Sequence, residues 1–77
     1  MALKELDTVV LVRDLPDHAL RAGDLGAVVQ VHAPNSLEVE FVRASGKTQA
    51  LVRLTERDVR PAGNRDLIAV RSLKRGR

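Results

Sequence analysis

The sequence predicts a small all-β domain, a five-stranded SH3-like barrel with a C-terminal extension and a basic tail. Apolar residues recur in short runs with a period near two, and Gly, Pro, Asn and Asp separate these runs. Such alternation is typical of strands rather than helices. Closing five short strands into a barrel also protects the sheet edges of a chain of 77 residues, which is too small for a sandwich.

The first two strands are predicted on either side of a long loop. Residues 8–12 are β-branched and almost entirely apolar, as expected of a buried strand. The loop covers residues 13–25, and within it residues 17–21 are predicted to form one helical turn capped by Asp17. The second strand opens at Gly26 and continues to residue 32.

The remaining three strands are predicted to follow one another as a meander. Residues 37–42 alternate between apolar and acidic side chains, which places one set inward and the other outward. A hairpin turn around Gly46 leads to a fourth strand at residues 48–54. A 3₁₀ turn at residues 55–58 then precedes a closing strand that ends at Pro61.

Composition divides the chain into three parts. Residues 1–62 hold the barrel, residues 63–73 form an extension, and residues 74–77 form a basic tail that is expected to be disordered. The extension is predicted to be an edge strand, with a short helix as the alternative. Its apolar residues are Leu67, Ile68, Val70 and Leu73.

The residue types in the chain exclude most kinds of catalytic and metal-binding site. The chain has no cysteine, which excludes disulfides, thiolate ligands and thiol nucleophiles. Its two histidines, His18 and His32, are expected to be solvated, and no serine lies beside either one. Four aspartates could gather around a cation, but their spacing fits no EF-hand loop, so turn and cap roles are expected. We therefore expect a protein that is not an enzyme and needs no cofactor or metal. The aspartates are Asp7, Asp14, Asp17 and Asp24.

Charge is distributed unevenly along the chain, which has a net charge of +3. Residues 65–77 hold five basic residues and one acid, a net charge of +4, whereas residues 1–64 have a net charge of −1. Within that body, residues 1–40 hold three basic and seven acidic residues. A dedicated duplex-binding protein is expected to be basic over one whole face, which this distribution does not describe.

The scarcity of aromatic residues excludes two further classes of binding protein. Phe41 is the one aromatic residue, and its alternation with Val39 places it in the core. Polyproline ligands dock in grooves lined by aromatic side chains, so a signalling-type SH3 function is excluded. Single-stranded nucleic acid is usually held by stacking of its bases on exposed aromatic rings, and the chain offers none for that purpose.

Four segments, in this order, resemble a known family: residues 5–11 (ELDTVVL), 23–29 (GDLGAVV), 39–42 (VEFV) and 58–61 (DVRP). The family is that of the short bacterial proteins grouped as domain of unknown function 4926, and the resemblance covers residues 4–62. It implies a small SH3-like barrel and brings no activity or catalytic residues with it. It also implies a gene that often sits beside another short gene, which suits a two-protein partnership.

These observations predict a protein-interaction module, either an accessory subunit or an antitoxin-like partner encoded by a two-gene pair. A small barrel can scarcely bury the apolar face of its extension alone. We therefore expect another protein to contact Leu67, Ile68, Val70 and Leu73, together with the long loop. Self-association into a homo-oligomer is left open.

The alternative is a non-specific nucleic-acid-binding module. Residues 23–28 are similar to the glycine-containing turn of KOW-type ribosomal and transcription modules, and a basic strip follows the third strand. Contacts of such a strip with phosphates would be strongly salt-dependent. The residues assigned to this alternative are Arg53, Arg57 and Arg60, with Lys74, Arg75 and Arg77 of the tail; Arg43 and Lys47 extend the strip.

The N-terminal sequence and the short apolar runs indicate a cytoplasmic protein. The first residues lack the apolar region of a secretory signal peptide. The longest uninterrupted apolar runs, such as residues 9–12, are far shorter than the roughly 20 residues of a membrane span. We expect no membrane association.

Overall fold

The computed structural model describes residues 3–73 and contains one five-stranded antiparallel sheet. The strand order is β4-β3-β2-β1-β5, so the last strand returns to pair with the first. This arrangement confirms the predicted all-β, SH3-like class. The strands are β1 (Thr8–Leu11), β2 (Leu25–His32), β3 (Ser36–Val42), β4 (Thr48–Thr55) and β5 (Val59–Pro61).

The core is aliphatic apart from one aromatic ring. All five strands contribute to it, and Phe41 is buried as the sequence predicted. Because the chain has no disulfide, burial of these side chains is the main source of its stability. The buried cluster consists of Val9, Leu11, Leu15, Leu20, Val28, Leu37, Val39, Phe41, Leu54 and Val59.

β3 lies between β2 and β4 and sets the two faces of the sheet. Its inward residue Val39 pairs with Val28 on one side and Val52 on the other. The next residue, Glu40, pairs with Ala27 and Leu51 and therefore lies on the opposite face. The predicted alternation of β3 is thus confirmed.

Gly26 allows β2 to approach β3 closely. A Cβ atom at this position would lie 2.6 Å from Val39 Cγ1 and 2.9 Å from Phe41 Cε2. Both distances are shorter than a normal carbon–carbon contact, so any larger residue would push core side chains aside. The glycine that the sequence placed at the start of β2 is therefore required by packing.

The long loop between β1 and β2 folds back on itself. Leu15 and Leu20 exchange two backbone hydrogen bonds of 2.9 and 3.1 Å, and both side chains enter the core. The enclosed 3₁₀ turn, Pro16–His18, is preceded by Leu15, which makes no side-chain cap. The helical turn predicted for residues 17–21 is therefore shorter and shifted to Pro16–His18, and the predicted Asp17 cap is wrong.

The second 3₁₀ turn, Glu56–Asp58, joins β4 to β5, which confirms the turn predicted at residues 55–58. The Asp58 carboxylate accepts a hydrogen bond of 2.9 Å from the Thr55 backbone N–H, and the Thr55 hydroxyl accepts one of 3.3 Å from the Arg57 N–H. Arg13 of the long loop donates to the same carboxylate over 2.6 Å. The cap therefore also ties the long loop to this end of the sheet.

The extension does not form the edge strand or the short helix predicted for it. Residues 66–73 have no regular secondary structure, and no backbone hydrogen bond joins residues 67–73 to the rest of the described chain. The apolar pattern suited a strand, but a strand needs a neighbouring strand with which to pair. The edge strands β4 and β5 each pair with one strand, and residues 66–73 pair with neither of them. The basic tail, with Lys74, Arg75 and Arg77, lies outside the described residues, as do residues 1–2.

Within residues 3–73 no helix is long and apolar enough to cross a membrane.

Candidate protein-interaction site

The extension is fixed at its beginning by an ion pair with β5. We call residues 66–73 the strap. Arg60 of β5 donates two hydrogen bonds, of 2.9 and 2.8 Å, to the two oxygens of the Asp66 carboxylate. The Gly63 backbone N–H donates a third, of 2.6 Å, to the same group. This bidentate geometry sets the direction in which the strap leaves the sheet.

A second ion pair fixes the strap near its end to the long loop. Arg71 donates to Asp24 through Nε over 2.9 Å and through Nη2 over 2.5 Å. The same Nη2 lies 3.1 Å from the Ala19 carbonyl oxygen and donates to it. Asp24 also accepts from the Arg21 backbone N–H over 2.8 Å, so the loop holds the carboxylate in place. The strap is therefore attached at two points, with four residues between them.

These hydrogen bonds keep both carboxylates ionised at neutral pH. Partial burial raises the pKa of Asp24, but the hydrogen bonds from Arg71 and from the Arg21 N–H outweigh it, so the net pKa is lowered. Hydrogen bonds from Arg60, and then from Gly63, hold the pKa of Asp66 far below its ordinary value. Both attachments are therefore charged over the whole physiological pH range.

Three apolar side chains lie exposed between the two attachments. Leu67 is 89% exposed, Ile68 is 76% exposed and Val70 is 91% exposed. Since the backbone of this stretch also lacks hydrogen-bond partners among the described residues, neither its side chains nor its peptide groups are used by the barrel. The strap offers apolar surface and free peptide groups at the same place.

The structure separates the residues that the sequence proposed for protein binding. Leu67, Ile68 and Val70 lie together on the strap, whereas Leu73 is half-buried. The long loop, the other expected contact element, places its two leucines in the core and is mostly polar outside. Its main link to the site is Asp24, which holds Arg71.

The basic strip is less available to a phosphate than the sequence suggested. Arg53 and Arg57 are exposed, but the guanidinium of Arg60 is occupied by Asp66. Arg43 donates a hydrogen bond of 2.9 Å to Gln49. The remaining residues of that alternative, Lys74, Arg75 and Arg77, lie outside the described part of the chain.

Three of the four early aspartates have the turn and cap roles predicted for them. Asp7 accepts from the Lys4 backbone N–H over 3.0 Å, and Asp14 accepts from the Ala22 N–H over 2.9 Å. Asp24 accepts from the Arg21 N–H. Among residues 3–73, no group of three or more acidic or histidine side chains is arranged to hold a metal ion. His18 is exposed, and Nε2 of the half-buried His32 lies 3.1 Å from Glu38.

The side of the sheet away from the core forms a second exposed surface, which we call the outer face. Ala27, Glu40 and Leu51 form one row across β2, β3 and β4. Gln30, Glu38 and Arg53 form the next row. Leu51 is 57% exposed, and a shallow cavity lies between Glu38, Leu51 and Arg53. The outer face therefore combines an apolar centre with two carboxylates and one guanidinium.

Comparison with known proteins places the barrel, but not the strap, in a family. The model of the family described as "Domain of unknown function (DUF4926)" matches residues 5–61. The chain belongs to this family. The match ends at Pro61, before the strap begins, and it confirms the resemblance noted in the sequence. No curated protein and no solved structure matches the DUF4926 chain.

Sequence reasoning found the apolar residues of the site but missed the residues that attach them. Asp24 was assigned a turn role, and neither Asp66 nor Arg71 was assigned any role. Arg71 and Asp24 are 47 residues apart, so no local spacing indicates their contact. Arg60 and Asp66 are six residues apart across a Gly-containing turn, and their opposite charges are the one signal that could have been read.

Proposed function

We propose that this DUF4926 protein is a non-enzymatic protein-interaction module that presents the strap to another protein chain. The observation that carries the proposal is the exposure of Leu67, Ile68 and Val70 between two Arg–Asp ion pairs. Apolar side chains scattered singly on a surface need no explanation, but contiguous ones mark interaction sites.

The two attachments support this function energetically. A flexible peptide loses conformational entropy when it binds, and this loss reduces its affinity. Here Asp66 and Arg71 are already held by Arg60 and Asp24, so a partner needs to order only the short stretch between them. The ion pairs contribute little to the stability of the barrel itself, since they lie at its surface. Their role is better explained by the presentation of the strap.

The nucleic-acid alternative receives less support from the same contacts. Phosphate binding requires guanidinium and ammonium groups that are free to donate. Arg13, Arg60 and Arg71 each donate to a carboxylate instead. Within residues 3–73, the assigned residues that stay exposed without an ion pair are Arg53 and Arg57, and two phosphate contacts alone would give weak binding.

Site-specific photo-crosslinking in cells tests the proposal. A benzophenone amino acid is placed at Ile68 of the full chain, and at the exposed Ala33 of the β2–β3 turn as the control. We expect a discrete adduct with a protein from position 68, resistant to nuclease, and none from position 33. The second substitution Val70→Asp should remove that adduct, because it puts a charge into the apolar contact.

Two results would contradict the proposal. One is equal labelling from positions 68 and 33, which would mean that the strap is no more than another exposed part of the surface. The other is an adduct that disappears with nuclease and is insensitive to Val70→Asp. That result would favour the basic strip and nucleic acid instead.

A further inference from the structure

We infer that β4 binds an extended, acidic segment of another protein, which pairs with its free edge as a sixth strand. The inference goes beyond the proposed function, because it concerns a different surface and does not involve the strap. It starts from the strand order, in which β4 and β5 are the edge strands; among residues 3–73 each pairs on one side only. An unpaired strand edge is a template for another chain, so proteins usually protect such edges.

The edge of β5 is short, and its polar groups are partly removed or occupied. The strand has three residues and ends at Pro61, which has no N–H group to donate. The Pro61 carbonyl accepts a hydrogen bond of 3.2 Å from Arg60 Nη1. This edge therefore offers little to which another strand could bind.

The edge of β4 lacks these protective features. The strand has eight residues, Thr48–Thr55, with no proline and with a single charged side chain, that of Arg53. Its other side pairs with β3 from Ser36 to Val42. A long edge with few charges and no proline is the kind that accepts a further strand.

Hydrogen bonds across the sheet show which peptide groups of β4 face the free edge. In an antiparallel sheet, the N–H and C=O of one residue point to the same side, and those of the next residue point to the other side. The Val28 N–H donates to the Asp7 carbonyl over 2.9 Å, and the Val28 carbonyl accepts from the Leu6 N–H over 2.8 Å. Val28 thus uses both groups away from β3. Its partner Val39 therefore directs both groups toward β4, where it pairs with Val52.

The peptide groups on either side of Val52 consequently face outward. They belong to Leu51 and Arg53, and no backbone or side chain within residues 3–73 hydrogen-bonds to them at this edge. Thr55 differs, because its N–H donates to the Asp58 carboxylate over 2.9 Å. A strand paired with Leu51 and Arg53 would make about four main-chain hydrogen bonds, two with each residue.

A groove borders the same stretch of β4 on the side that Val52 faces. It lies between the long loop and the strand, and Leu15, Pro16, Val52 and Leu54 supply its apolar lining. Val52 is half-buried although it packs against the core, so some apolar surface is left uncovered here. Alternate side chains of an added strand would point into this groove. We therefore expect an apolar residue opposite Val52.

The charges along β4 favour an acidic segment. Lys47 before the strand, Arg53 within it and Arg57 after it are exposed, and none of these side chains forms an ion pair with another residue of the described chain. Glu56 is the single acidic residue between positions 47 and 57. A second copy of β4 would bring the same basic residues to this edge, and like charges repel. An acidic segment of a different protein is therefore the better occupant.

Arg53 is the residue that recognises the charge of the added strand. Glu38 lies opposite Arg53 on β3, but its carboxylate is 3.1 Å from His32 Nε2 and forms no ion pair with Arg53. The guanidinium is left for an acidic side chain on the added strand, since opposite charges placed directly across an antiparallel pair stabilise it. A nucleic acid could contact this guanidinium, but it lacks the alternating N–H and C=O groups that the edge requires.

Selection of a random peptide library displayed on phage, against the purified full-length protein, tests the inference. We expect enrichment of sequences in which acidic and apolar residues alternate. Titration of the ¹⁵N-labelled protein with the enriched peptide should shift the amide resonances of residues 51–53 and of the long loop, and not those of the strap. Ile68→Asp on the strap is the control and should leave the affinity unchanged.

Two substitutions at one position separate the backbone from the side chain. Arg53→Pro removes the charge and also an N–H that the pairing with β3 does not use, so the peptide should bind about tenfold or more weakly. Arg53→Ala removes the charge and retains the N–H. It should weaken binding by a smaller factor and reduce the dependence of the affinity on salt.

N-methylation of the peptide gives a test that an unfolded variant cannot imitate. In a paired strand, alternate N–H groups of the peptide face β4 and the others face solvent. Methylation of the set that faces β4 should abolish binding. Methylation of the other set should leave the affinity unchanged.

Four outcomes would overturn the inference. They are no enriched peptide, enriched peptides without alternating acidic and apolar residues, equal losses from the two methylated sets, and displacement of the peptide by a mixed-sequence single-stranded RNA. The last result would assign the basic residues of this edge to nucleic acid. The proposed function is tested separately by the crosslink from Ile68, so it can fail or hold independently of this inference.

Discussion

The long loop and the strap are both irregular segments with apolar residues, but the loop buries its leucines whereas the strap exposes its apolar side chains. Leu15 and Leu20 of the loop are 8% and 4% exposed, whereas Leu67 and Val70 of the strap are 89% and 91% exposed. The loop closes on itself through paired backbone hydrogen bonds, so its leucines point at the core together. The strap has no such closure and is held at its ends by ion pairs.

This difference shows what an irregular segment needs if it is to join the core. Burying a leucine also buries the peptide groups beside it, and these must find hydrogen-bond partners. In the loop, Leu15 and Leu20 supply those partners to each other. In the strap, residues 67–73 have none among the described residues, so burial within the chain would leave peptide groups unsatisfied.

The largest expected effect comes from matched leucine truncations in the two segments. Leu20→Ala removes a buried side chain and should lower the free energy of unfolding by about 2–5 kcal/mol. Leu67→Ala removes an exposed one and should change it by less than about 0.5 kcal/mol. Urea denaturation of both variants and the wild type measures this. Equal losses would mean that the strap is part of the core in solution.

A smaller effect is expected where the two segments meet. Asp24→Asn weakens both hydrogen bonds from Arg71, while the amide oxygen can still accept from the Arg21 N–H. The free energy of unfolding should fall by less than about 1 kcal/mol, because the pair is partly exposed. The backbone of Val70 should become more mobile by ¹⁵N NMR relaxation.

The matched control for this second variant is Asp17→Asn, in the exposed part of the same loop. It removes a negative charge without touching Arg71, and it should leave the relaxation of Val70 unchanged. If both variants mobilise the strap equally, the general charge of the loop rather than the Arg71–Asp24 contact holds the strap.

The smallest expected effect is a pH dependence confined to acid. The pKa of Asp24 is lowered from its ordinary value of 3.8, so the ion pair adds stability that is fully present above that pH. This stability is lost as the pH falls through the pKa of the folded state, below 3.8. Asp66 behaves in the same direction. The amide resonances of the strap should stay constant near neutral pH and shift in acid with a midpoint below 3.8. A shift near neutral pH would contradict this assignment.

Much of the barrel could be predicted because strands and turns are signalled by residues that are close together in the sequence. The alternation of residues 37–42 gave the faces of β3, and the turn at Gly46 gave the hairpin to β4. Element ends moved by a residue or two: β1 ends at Leu11 rather than residue 12, and β2 begins at Leu25. These shifts are small because side-chain alternation fixes the register wherever one face is buried.

The candidate site could be predicted only in part. Its apolar residues stood out because a short chain with a complete five-strand pattern has no place left for Leu67, Ile68 and Val70. Their conformation was predicted wrongly, since the side-chain pattern of a strand does not show whether the segment pairs with another strand.

The sequence by itself determined the all-β class, the strand order expected of an SH3-like barrel and the uneven charge of the chain. These features follow from the period of the apolar side chains, from the turn residues and from the number of charged residues in each segment. None of them depends on contacts between distant parts of the chain. Only the tertiary structure decided that Leu15 and Leu20 of the long loop enter the core, that the apolar residues of the strap are exposed, and that Arg71 meets Asp24 across 47 residues. The physical reason is that burial and ion pairing depend on which groups the folded chain brings together, whereas strand formation is signalled within a few neighbouring residues.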